Sequence, residues 1–304
     1  MRILITGATG LVGQALTRLL LQKKYEVYFL TTNPKSLNAL PGATGFLWDP
    51  SAQTIDSKCF EEVQAIIHLA GTSISIPWTT KNRASILDSR VQTIHLLHQA
   101  YQEFPRGVCQ KFISASAIGI YPSHPKRLWK EEDQEPPQNF LQQVVSQWEA
   151  AVLDISETIP TTIRMRIGLV LANEGGVFPT LKIPTQWGLG AAFGNGEQYQ
   201  SWIHIKDLAN AFVHAVDHLT SGVFNAVAPQ PVTQNTLIKV LGKTLNRPAF
   251  LPNIPAIMMR FVLGERSQLV LNSQRVSSQK LEASGFSFEF DSLESALAAL
   301  IKNK

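Results

Sequence analysis

The sequence predicts an α/β fold that is built on a βαβ unit of the dinucleotide-binding type. The run Arg2–Thr6 is short, apolar and rich in β-branched residues, and three glycines then lead into a helical pattern of apolar residues. Strand-like runs and helical stretches alternate as far as about residue 171. Beyond that point glycine, proline and aromatic residues become frequent. Such alternation is typical of a parallel sheet, and the later composition indicates loops and short elements.

The glycines that follow the first strand have the spacing G-x-x-G-x-x-G. In a nucleotide-binding turn the first permits a tight turn, the second lets the backbone approach a pyrophosphate, and the third lets helix and strand pack closely. The helix N-terminus offers free N–H groups to the phosphates. We therefore expect a dinucleotide site here, the alternative being a glycine turn without a ligand. The expected contacts are Gly7, Thr9, Gly10, Leu11, Val12 and Gly13.

The end of the second predicted strand, Glu26–Thr31, bears on which cofactor binds. A carboxylate there would bind the adenosine 2′-hydroxyl and repel a 2′-phosphate. The stretch that follows contains none, and Thr31, Thr32 and Lys35 offer hydroxyls and a cation. We therefore expect NADP(H), with NAD(H) as the alternative. Lys35 has a second interpretation, as a solvated turn residue.

Two further strand ends complete the expected cofactor site. Asp49 follows the third predicted strand, Gly45–Trp48, where it either accepts a hydrogen bond from adenine or forms an Asx turn before Pro50. The fourth strand, Ala65–Leu69, runs into small residues that let backbone approach the cofactor. Leu69, Ala70 and Gly71 are therefore included, while His68, inside the apolar run, is expected to be a packed histidine.

The helix Thr79–Phe104 and the fifth strand, Lys111–Ser116, contribute polar candidates. Arg90 lies in the middle of the helix, where it either reaches a pyrophosphate or anionic substrate or is a surface residue. Ser114 and Ser116 end the fifth strand, and ligands of open α/β sheets lie at the carboxyl ends of the strands. All three are expected to contact the cofactor.

Composition excludes several classes of protein. The net charge of +4 is mild and no Lys/Arg run indicates a nucleic-acid surface. No apolar segment is long enough to span a membrane, and no signal peptide is expected before the first strand. Cys59 and Cys109 stand alone, which favours reduced thiols in a cytoplasmic protein. No metal site is expected, because His214 and His218 have no third ligand nearby in the sequence.

The later elements are less regular. A helix is predicted over about 138–156, and a single sixth strand, Thr161–Leu171, carries Arg164 and Arg166. Residues 173–200 are expected to form loops and short elements. Additional segments complete the prediction: extended structure over 201–205, a helix to about residue 218, a strand over 223–228, and helices over 233–245 and 293–301.

Several motifs together resemble the extended short-chain dehydrogenase/reductase superfamily, and most closely its YfcH-type epimerase/dehydratase-like branch. The resemblance covers essentially the whole chain. It implies a Rossmann-like, doubly wound parallel sheet of six or seven strands, with a smaller, mostly C-terminal α+β substrate domain. The expected domains are residues 1–172, with a return segment over about 205–228, and residues 173–304. The motifs are Thr6–Gly13, His68–Gly71, Pro77–Thr79, Ser89–Val91, Trp148–Glu149, Gly194–Gln198, Ser201–His204, Asn225–Pro229, Arg247–Pro248 and Leu281–Phe286.

The resemblance also shows where this chain departs from catalytically typical members. Those members place a Ser or Thr after the fifth strand and a Tyr-x-x-x-Lys pair on the next helix. The serine falls on Ser116, but Leu141 and Val145 occupy the Tyr and Lys positions. No tyrosine in the chain has a lysine four residues later. The branch often has Thr-Arg where this chain has Thr31-Thr32, which leaves Lys35 as the nearby cation.

The sequence is compatible with two functions. One is an oxidoreductase or epimerase that acts on an unknown polar or nucleotide-sugar small molecule, with atypical acid/base groups drawn from Ser116, Tyr121, His204 and Arg166. Packed or structural roles are the alternatives for the last three, with His204 pairing with Asp207. The other is a non-catalytic, NADP(H)-sensing regulatory protein. Neither involves nucleic acid or a membrane, and the sequence makes no prediction of oligomeric state.

Overall fold

The computed structural model describes residues 1–104, 108–248 and 251–302. The chain divides into two compact units. The first contains Met1–Ile120, Pro137–Arg166 and Ala209–Phe224, and the second contains Tyr121–Pro136, Ile167–Leu208 and Asn225–Lys304. Residues 121–136 and 167–172, which the sequence assigned to the first domain, thus belong to the second unit. Of the expected return segment over about 205–228, residues 209–224 belong to the first unit and the rest to the second. Residues 249–250 and 303–304 of the predicted second domain lie outside the described residues.

The helices and strands follow the predicted alternation. The strands are β1 (Arg2–Thr6), β2 (Glu26–Thr31), β3 (Thr44–Asp49), β4 (Thr54–Ile55), β5 (Val63–His68), β6 (Lys111–Ala117), β7 (Leu128–Trp129), β8 (Thr161–Ile167), β9 (Leu169–Ala172), β10 (Gly175–Gly176), β11 (Tyr199–Gln200), β12 (Trp202–His204), β13 (Gly222–Ala226), β14 (Val232–Thr233) and β15 (Arg275–Val276). The helices are α1 (Leu11–Gln22), α2 (Thr80–Gln102), α3 (Phe140–Asp154), α4 (Phe178–Gln186), α5 (Ile205–Asp217), α6 (Gln234–Thr244), α7 (Ala256–Leu263), α8 (Gln268–Leu271), α9 (Gln279–Ala283) and α10 (Leu293–Lys302).

Among the described residues, the largest sheet contains eight strands in the order β13-β8-β6-β5-β1-β2-β3-β4. β1 pairs in parallel with both β2 and β5, and β2–β3 and β5–β6 are also parallel. The eighth strand is the two-residue β4, antiparallel to β3. The mostly parallel, Rossmann-like sheet confirms the predicted fold class. Because strand order reverses between β1 and β5, the carboxyl ends of these strands form the crevice where such sheets bind ligands.

Burial on both faces explains why the central strands are apolar throughout. Ile3, Leu4 and Ile5 of β1 are all fully buried, although successive side chains point to opposite faces of a sheet. On α1 the spacing of buried Leu16 and Leu20 packs one helical face inward. The first βαβ unit therefore forms as its hydrophobic pattern predicts.

The predicted single strand Thr161–Leu171 is wrong, because the chain forms β8 and β9 with Gly168 between them. The Gly168 N–H donates to Ala226 O at 3.2 Å, and a Cβ atom on Gly168 would lie 2.4 Å from Ser201 O. Only glycine permits this approach of the two backbones. β9 then pairs in parallel with β12 in a separate sheet, which apolar periodicity within the segment does not reveal.

The second unit has its own core, in which α6 and α10 pack side by side. The core includes Trp202, Leu237, Leu241 and Leu297, all buried. The prediction of loops and short elements over 173–200 is incomplete, because α4 lies in this stretch and buries Phe178 and other residues in the same core. No helix within the described ranges is both long and apolar enough to cross a membrane.

Candidate functional site

The glycine turn joins β1, α1 and the end of β5 in the first unit. Gly7 has φ of +69°, and a Cβ atom on it would lie 2.8 Å from Ala70 N. A Cβ atom on Gly13 would lie 2.3 Å from Gly7 O. The Thr6 hydroxyl oxygen accepts hydrogen bonds from the N–H groups of Leu69 and Ala70 at 3.2 and 3.1 Å. Gly7, Ala70 and Gly13 are therefore brought together, as the sequence predicts for a nucleotide turn.

Gly10 is the N-cap residue of helix α1, and no side chain caps the helix. Gly10 is extended, with φ of −77° and ψ of 176°, and no side chain bonds the first turn. A Cβ atom on Gly10 would lie 3.2 Å from Gly7 O and meets no other described atom within 4 Å apart from its chain neighbours. Because Gly10 has no side chain, it leaves the N–H groups of Leu11 and Val12 open, and the three glycines of the turn form a cradle beside them. This cradle fits the pyrophosphate of a dinucleotide. Thr9 is exposed, and its carbonyl oxygen accepts from Gln14 Nε2 at 2.8 Å.

The end of β2 adjoins a cavity of about 420 Å³. Four polar residues and four apolar residues line it, the polar ones being Thr32, Asp49, Thr54 and Asp56. Asp49 Oδ1 also accepts the N–H groups of Ser51 and Ala52 at 2.9 and 3.2 Å, which is the Asx turn that the sequence left open. Lys35 is exposed and does not line this cavity. It lies in a short turn that is capped by the Asn33 side chain. Thr31 is buried.

His68 is a packed residue at the end of β5. Its Nδ1 lies 2.8 Å from Thr6 Oγ1 and its Nε2 3.3 Å from Thr93 Oγ1. Burial, reinforced by the nearby positive charge of Arg90, lowers the pKa of His68 to about 3. The ring is therefore neutral, and it joins β5 to β1 and α2.

Arg90 is held beside the end of β5 rather than on the surface. Its Nη1 donates to Thr72 O at 3.1 Å and Ile86 O at 2.7 Å, and its guanidinium lies 5.0 Å from the centroid of the Trp148 ring. A Cβ atom on Gly71 would lie 3.1 Å from the guanidinium carbon, so glycine makes room for it. Burial lowers the pKa of Arg90 to about 10, which leaves it charged at neutral pH. The site thus has a fixed positive charge next to Gly71.

The two serines of β6 differ in their partners. Ser114 is fully buried, and its hydroxyl donates to Ala115 O at 2.7 Å. Ser116 is 3% exposed, and its hydroxyl donates to Glu149 Oε1 at 2.6 Å. Both serine hydroxyls therefore donate their protons to acceptors of the protein itself.

Glu149 lies at the centre of a buried charged network. Arg166 binds its carboxylate with two donors, Nε to Oε1 at 2.8 Å and Nη2 to Oε2 at 2.9 Å. Arg164 Nη1 lies farther away, 3.9 Å from Oε2. Arg166 thus has the structural ion pair that was its alternative role. Glu149 was not among the predicted site residues, although it lies four residues, one helical turn, beyond Val145 on α3.

The wall where a Tyr-x-x-x-Lys pair would stand is apolar. Leu141 and Val145 lie on one face of α3, and Val145 is buried. A Cβ atom on Gly119 would be 3.9 Å from each of these side chains. Neither residue can donate or accept a proton, so no acid or base stands at the position of the usual pair.

Tyr121 is a core residue of the second unit. It is buried, its hydroxyl donates to Asn225 Oδ1 at 2.8 Å, and its ring stacks on Trp129 with centroids 5.6 Å apart. The packed-aromatic alternative therefore describes this tyrosine, because its hydroxyl proton is directed to an amide oxygen. The expectation that Tyr121 is an acid/base group has no support in these contacts.

His204 is also buried in the second unit. Its Nδ1 accepts from the Lys206 N–H at 3.1 Å and its ring lies 3.9 Å from that of Phe290, centroid to centroid. Burial, with a contribution from the charge of Lys206, lowers the pKa of His204 to about 4. The expected pairing with Asp207 is wrong, because the Asp207 carboxylate instead accepts the N–H groups of Glu289 and Phe290 at 2.9 and 3.0 Å.

Comparison with known proteins agrees with this architecture. The model of the NAD-dependent epimerase/dehydratase family matches residues 3–142, and that of a domain of unknown function, DUF1731, matches residues 254–300. An epimerase family protein of Staphylococcus aureus strain NCTC 8325 is 32% identical over 98% of both chains.

Two solved structures extend the comparison. The human epimerase family protein SDR39U1, isoform 2, solved with NADPH, is 29% identical, covers 100% of both chains and superposes with a TM-score of 0.87. A nucleoside-diphosphate sugar epimerase from Corynebacterium glutamicum is 30% identical with a TM-score of 0.78, over 98% of this chain and 57% of that one. The chain therefore belongs to the NAD-dependent epimerase/dehydratase family, within the extended short-chain dehydrogenases/reductases that carry a C-terminal DUF1731 domain.

Proposed function

We propose that this protein binds NADP(H) at the glycine turn of its first unit and acts as an oxidoreductase or epimerase on a small polar or nucleotide-sugar substrate. The observation that carries the proposal is the cradle formed by Gly7, Gly10 and Gly13, which adjoins an uncapped helix N-terminus. The relative solved with NADPH supports the choice of cofactor.

Residues of the first unit would hold the cofactor in a defined order. The N–H groups of Leu11 and Val12 at the start of α1 would bind the pyrophosphate, and Thr32 with Lys35 would bind the 2′-phosphate. Ala70 and Gly71 would lie against the middle of the cofactor. When bound, the nicotinamide ring supplies a hydride donor or acceptor.

The contribution of the protein to chemistry would be orientation of the bound cofactor and substrate. Leu141 and Val145 present an apolar wall, while Arg90 supplies a fixed positive charge at the end of β5. Since no tyrosine–lysine pair stands on α3, the proton that accompanies hydride transfer would come from the substrate or from water.

Calorimetric titration with NADPH, NADP⁺, NADH and NAD⁺ tests the cofactor. We expect NADP(H) to bind about tenfold or more tightly than NAD(H), since a 2′-phosphate adds charge-assisted contacts. A Gly10→Ala variant should weaken binding of all four, because the added methyl stands beside the N–H groups of the first turn. Equal or tighter NAD(H) binding would contradict the choice of cofactor.

Activity requires a separate measurement. Purified protein with NADPH should lose absorbance at the nicotinamide band with at least one carbonyl compound if it is an oxidoreductase. If it is an epimerase, protein with NADP⁺ should convert at least one nucleotide sugar to an epimer detected by NMR, with no net change in absorbance because the hydride returns to the sugar. Tight NADPH binding with no turnover across the panel would count against an enzyme.

A non-catalytic NADP(H) sensor is the second candidate, and the apolar wall of Leu141 and Val145 favours it. A sensor needs a cofactor-dependent conformation but no proton relay. Hydrogen exchange measured with NADPH and with NADP⁺ distinguishes the two functions: a sensor should differ in protection between the two redox states, beyond the residues that contact the cofactor.

A further inference from the structure

We infer that Glu149 is a positioning residue that fixes the Ser116 hydroxyl as a hydrogen-bond acceptor toward a ligand. The site would therefore select a ligand group that donates a hydrogen bond, such as a hydroxyl, over a carbonyl oxygen. The inference rests on the proposed function, because it concerns the ligand that a dinucleotide site at these strand ends would serve.

The Ser116 hydroxyl is in direct contact with the Glu149 carboxylate. Ser116 Oγ lies 2.6 Å from Glu149 Oε1, within the range of a charge-assisted O–H···O⁻ hydrogen bond. Both residues are buried, at 3% and 5% exposure. A serine hydroxyl has one proton and two acceptor lone pairs, so a proton given to Glu149 leaves only acceptor capacity for any other group.

Arg166 determines which partner donates in the hydrogen bond between Ser116 and Glu149. Arg166 donates through Nε and Nη2 to both carboxylate oxygens of Glu149, in the fork geometry of a bidentate pair. Arg164 adds a second positive charge 3.9 Å away. Both carboxylate oxygens thus already accept hydrogen bonds from Arg166, which has donors only. Ser116 must therefore be the donor.

The Ser116 hydroxyl cannot donate to a ligand without losing its hydrogen bond to Glu149. For Ser116 to donate to a ligand carbonyl, its hydroxyl would have to turn away from a buried carboxylate and leave that acceptor with one partner fewer. A ligand hydroxyl or amide, by contrast, donates to a lone pair of Ser116 without disturbing the network. The resemblance to typical short-chain dehydrogenases leads to the opposite expectation, a serine that donates to the substrate oxygen.

The position of Ser116 makes the preference relevant to function. The residue lies near the end of β6, beside β5, whose carboxyl end carries Ala70 and Gly71. Ligands of open α/β sheets lie at this edge. Glu149 and Val145 are four residues apart on α3, so the charged network begins one turn beyond the apolar wall.

Neutron diffraction from deuterium-exchanged crystals of the protein tests the hydrogen bond directly. We expect a deuteron on Ser116 Oγ along the line to Glu149 Oε1, and no deuteron on the carboxylate. A deuteron on Glu149, or a Ser116 deuteron directed elsewhere, would overturn the inference. Because no cofactor is needed, this outcome is distinguishable from the calorimetric failure that would refute the proposed function.

Ligand-observed NMR tests the consequence for specificity. The probes are cyclohexanol and cyclohexanone, which match in ring size, added to protein saturated with tetrahydro-NADP, a reduced analogue that does not transfer hydride. We expect the alcohol to bind about tenfold more tightly, the equivalent of one hydrogen bond. Equal affinity, preference for the ketone, or binding of neither contradicts the inference.

Variants separate positioning from a purely structural role. Ser116→Ala should abolish the preference, Ser116→Thr should retain it because the hydroxyl remains, and Glu149→Gln should reduce it. Ser156→Ala is the matched control, since that serine donates to Leu153 O at the exposed end of α3. If Glu149→Gln does not fold, the alanine and threonine variants still decide the question. A preference that persists in Ser116→Ala would overturn the inference.

Discussion

A Cβ atom on Gly13 would lie 2.3 Å from the carbonyl oxygen of Gly7. The first turn of α1 therefore rests on the backbone that leaves β1, with no space for a methyl group. The contact is between two backbone segments, so neither side can yield by rotating a side chain. Glycine at residue 13 is consequently a requirement of the fold, whereas Gly10 has much more space.

Alanine substitutions in the turn should accordingly differ in their effect on stability. We expect Gly13→Ala to lower the free energy of unfolding by about 3 kcal/mol, at the upper end for overpacked sites. Gly10→Ala should cost less than about 1 kcal/mol, because its Cβ contact with Gly7 O is 3.2 Å. Urea denaturation followed by circular dichroism measures both. Equal losses in the two variants would show that the turn is looser than the structure indicates.

Lys35 is expected to contribute to cofactor choice. Lys35→Ala should weaken NADP⁺ binding about fivefold to tenfold and leave NAD⁺ binding unchanged, because only NADP⁺ carries the 2′-phosphate. Lys58→Ala is the control, a lysine in another short turn of the first unit. Calorimetry at two salt concentrations measures the effect, which should shrink at high salt. A parallel loss of NAD⁺ affinity would assign Lys35 a general role instead.

Tyr121 is expected to contribute to stability and not to proton transfer. Tyr121→Phe removes the donor to Asn225 Oδ1 inside a buried cluster, which should cost about 1 to 3 kcal/mol of unfolding free energy. If an NADPH-dependent activity is found, its kcat should stay within about twofold of the parent value. A thousandfold loss of kcat with unchanged stability would restore Tyr121 as an acid/base group.

The neutral histidine at the end of β5 should make the protein sensitive to acid. Burial lowers the pKa of His68 to about 3, while an unfolded histidine titrates near 6.5. The unfolded state therefore binds one more proton between these values. The stabilisation is complete above pH 6.5 and is lost as pH falls toward 3.

A His68→Gln variant checks this, since glutamine has no titration in this range. The slope of unfolding free energy against pH between 6.5 and 4 should decrease by up to about 1.4 kcal/mol per pH unit relative to the parent. A residual slope is expected, because burial lowers the pKa of His204 to about 4. Identical slopes in parent and variant would mean that His68 is charged in the native protein.

Local patterns predicted most of the first unit. The apolar run of β1, the glycine spacing and the amphipathic α1 are set by residues close in sequence, so their periodicity and turn chemistry are visible without a structure. The break that Gly168 makes between β8 and β9 could not be predicted in the same way. Gly168 is required by its close approach to the backbone of Ser201, which is 33 residues away in the chain. Helix α4 was hidden by the glycines and prolines around it.

Candidate catalytic groups were less predictable than cofactor contacts. The resemblance placed Ser116 and showed that Leu141 and Val145 replace the usual pair, since these depend on alignment alone. The partners of Tyr121 and His204 depend on contacts across long stretches of chain: Asn225 is 104 residues from Tyr121. Burial and hydrogen bonding, which decide whether a side chain can move a proton, are properties of those contacts.

By itself the sequence determined that a strand, a glycine turn and a helix begin this chain in the form that suits a dinucleotide, and that no Tyr-x-x-x-Lys pair follows. These are statements about spacing, and spacing is local. Only the tertiary structure decided that Ser116 gives its proton to Glu149 and that Arg166 holds this carboxylate with two donors. The network joins a strand, a helix and the next strand of the sheet, and the direction of its hydrogen bonds follows from a buried charge that sequence spacing does not encode.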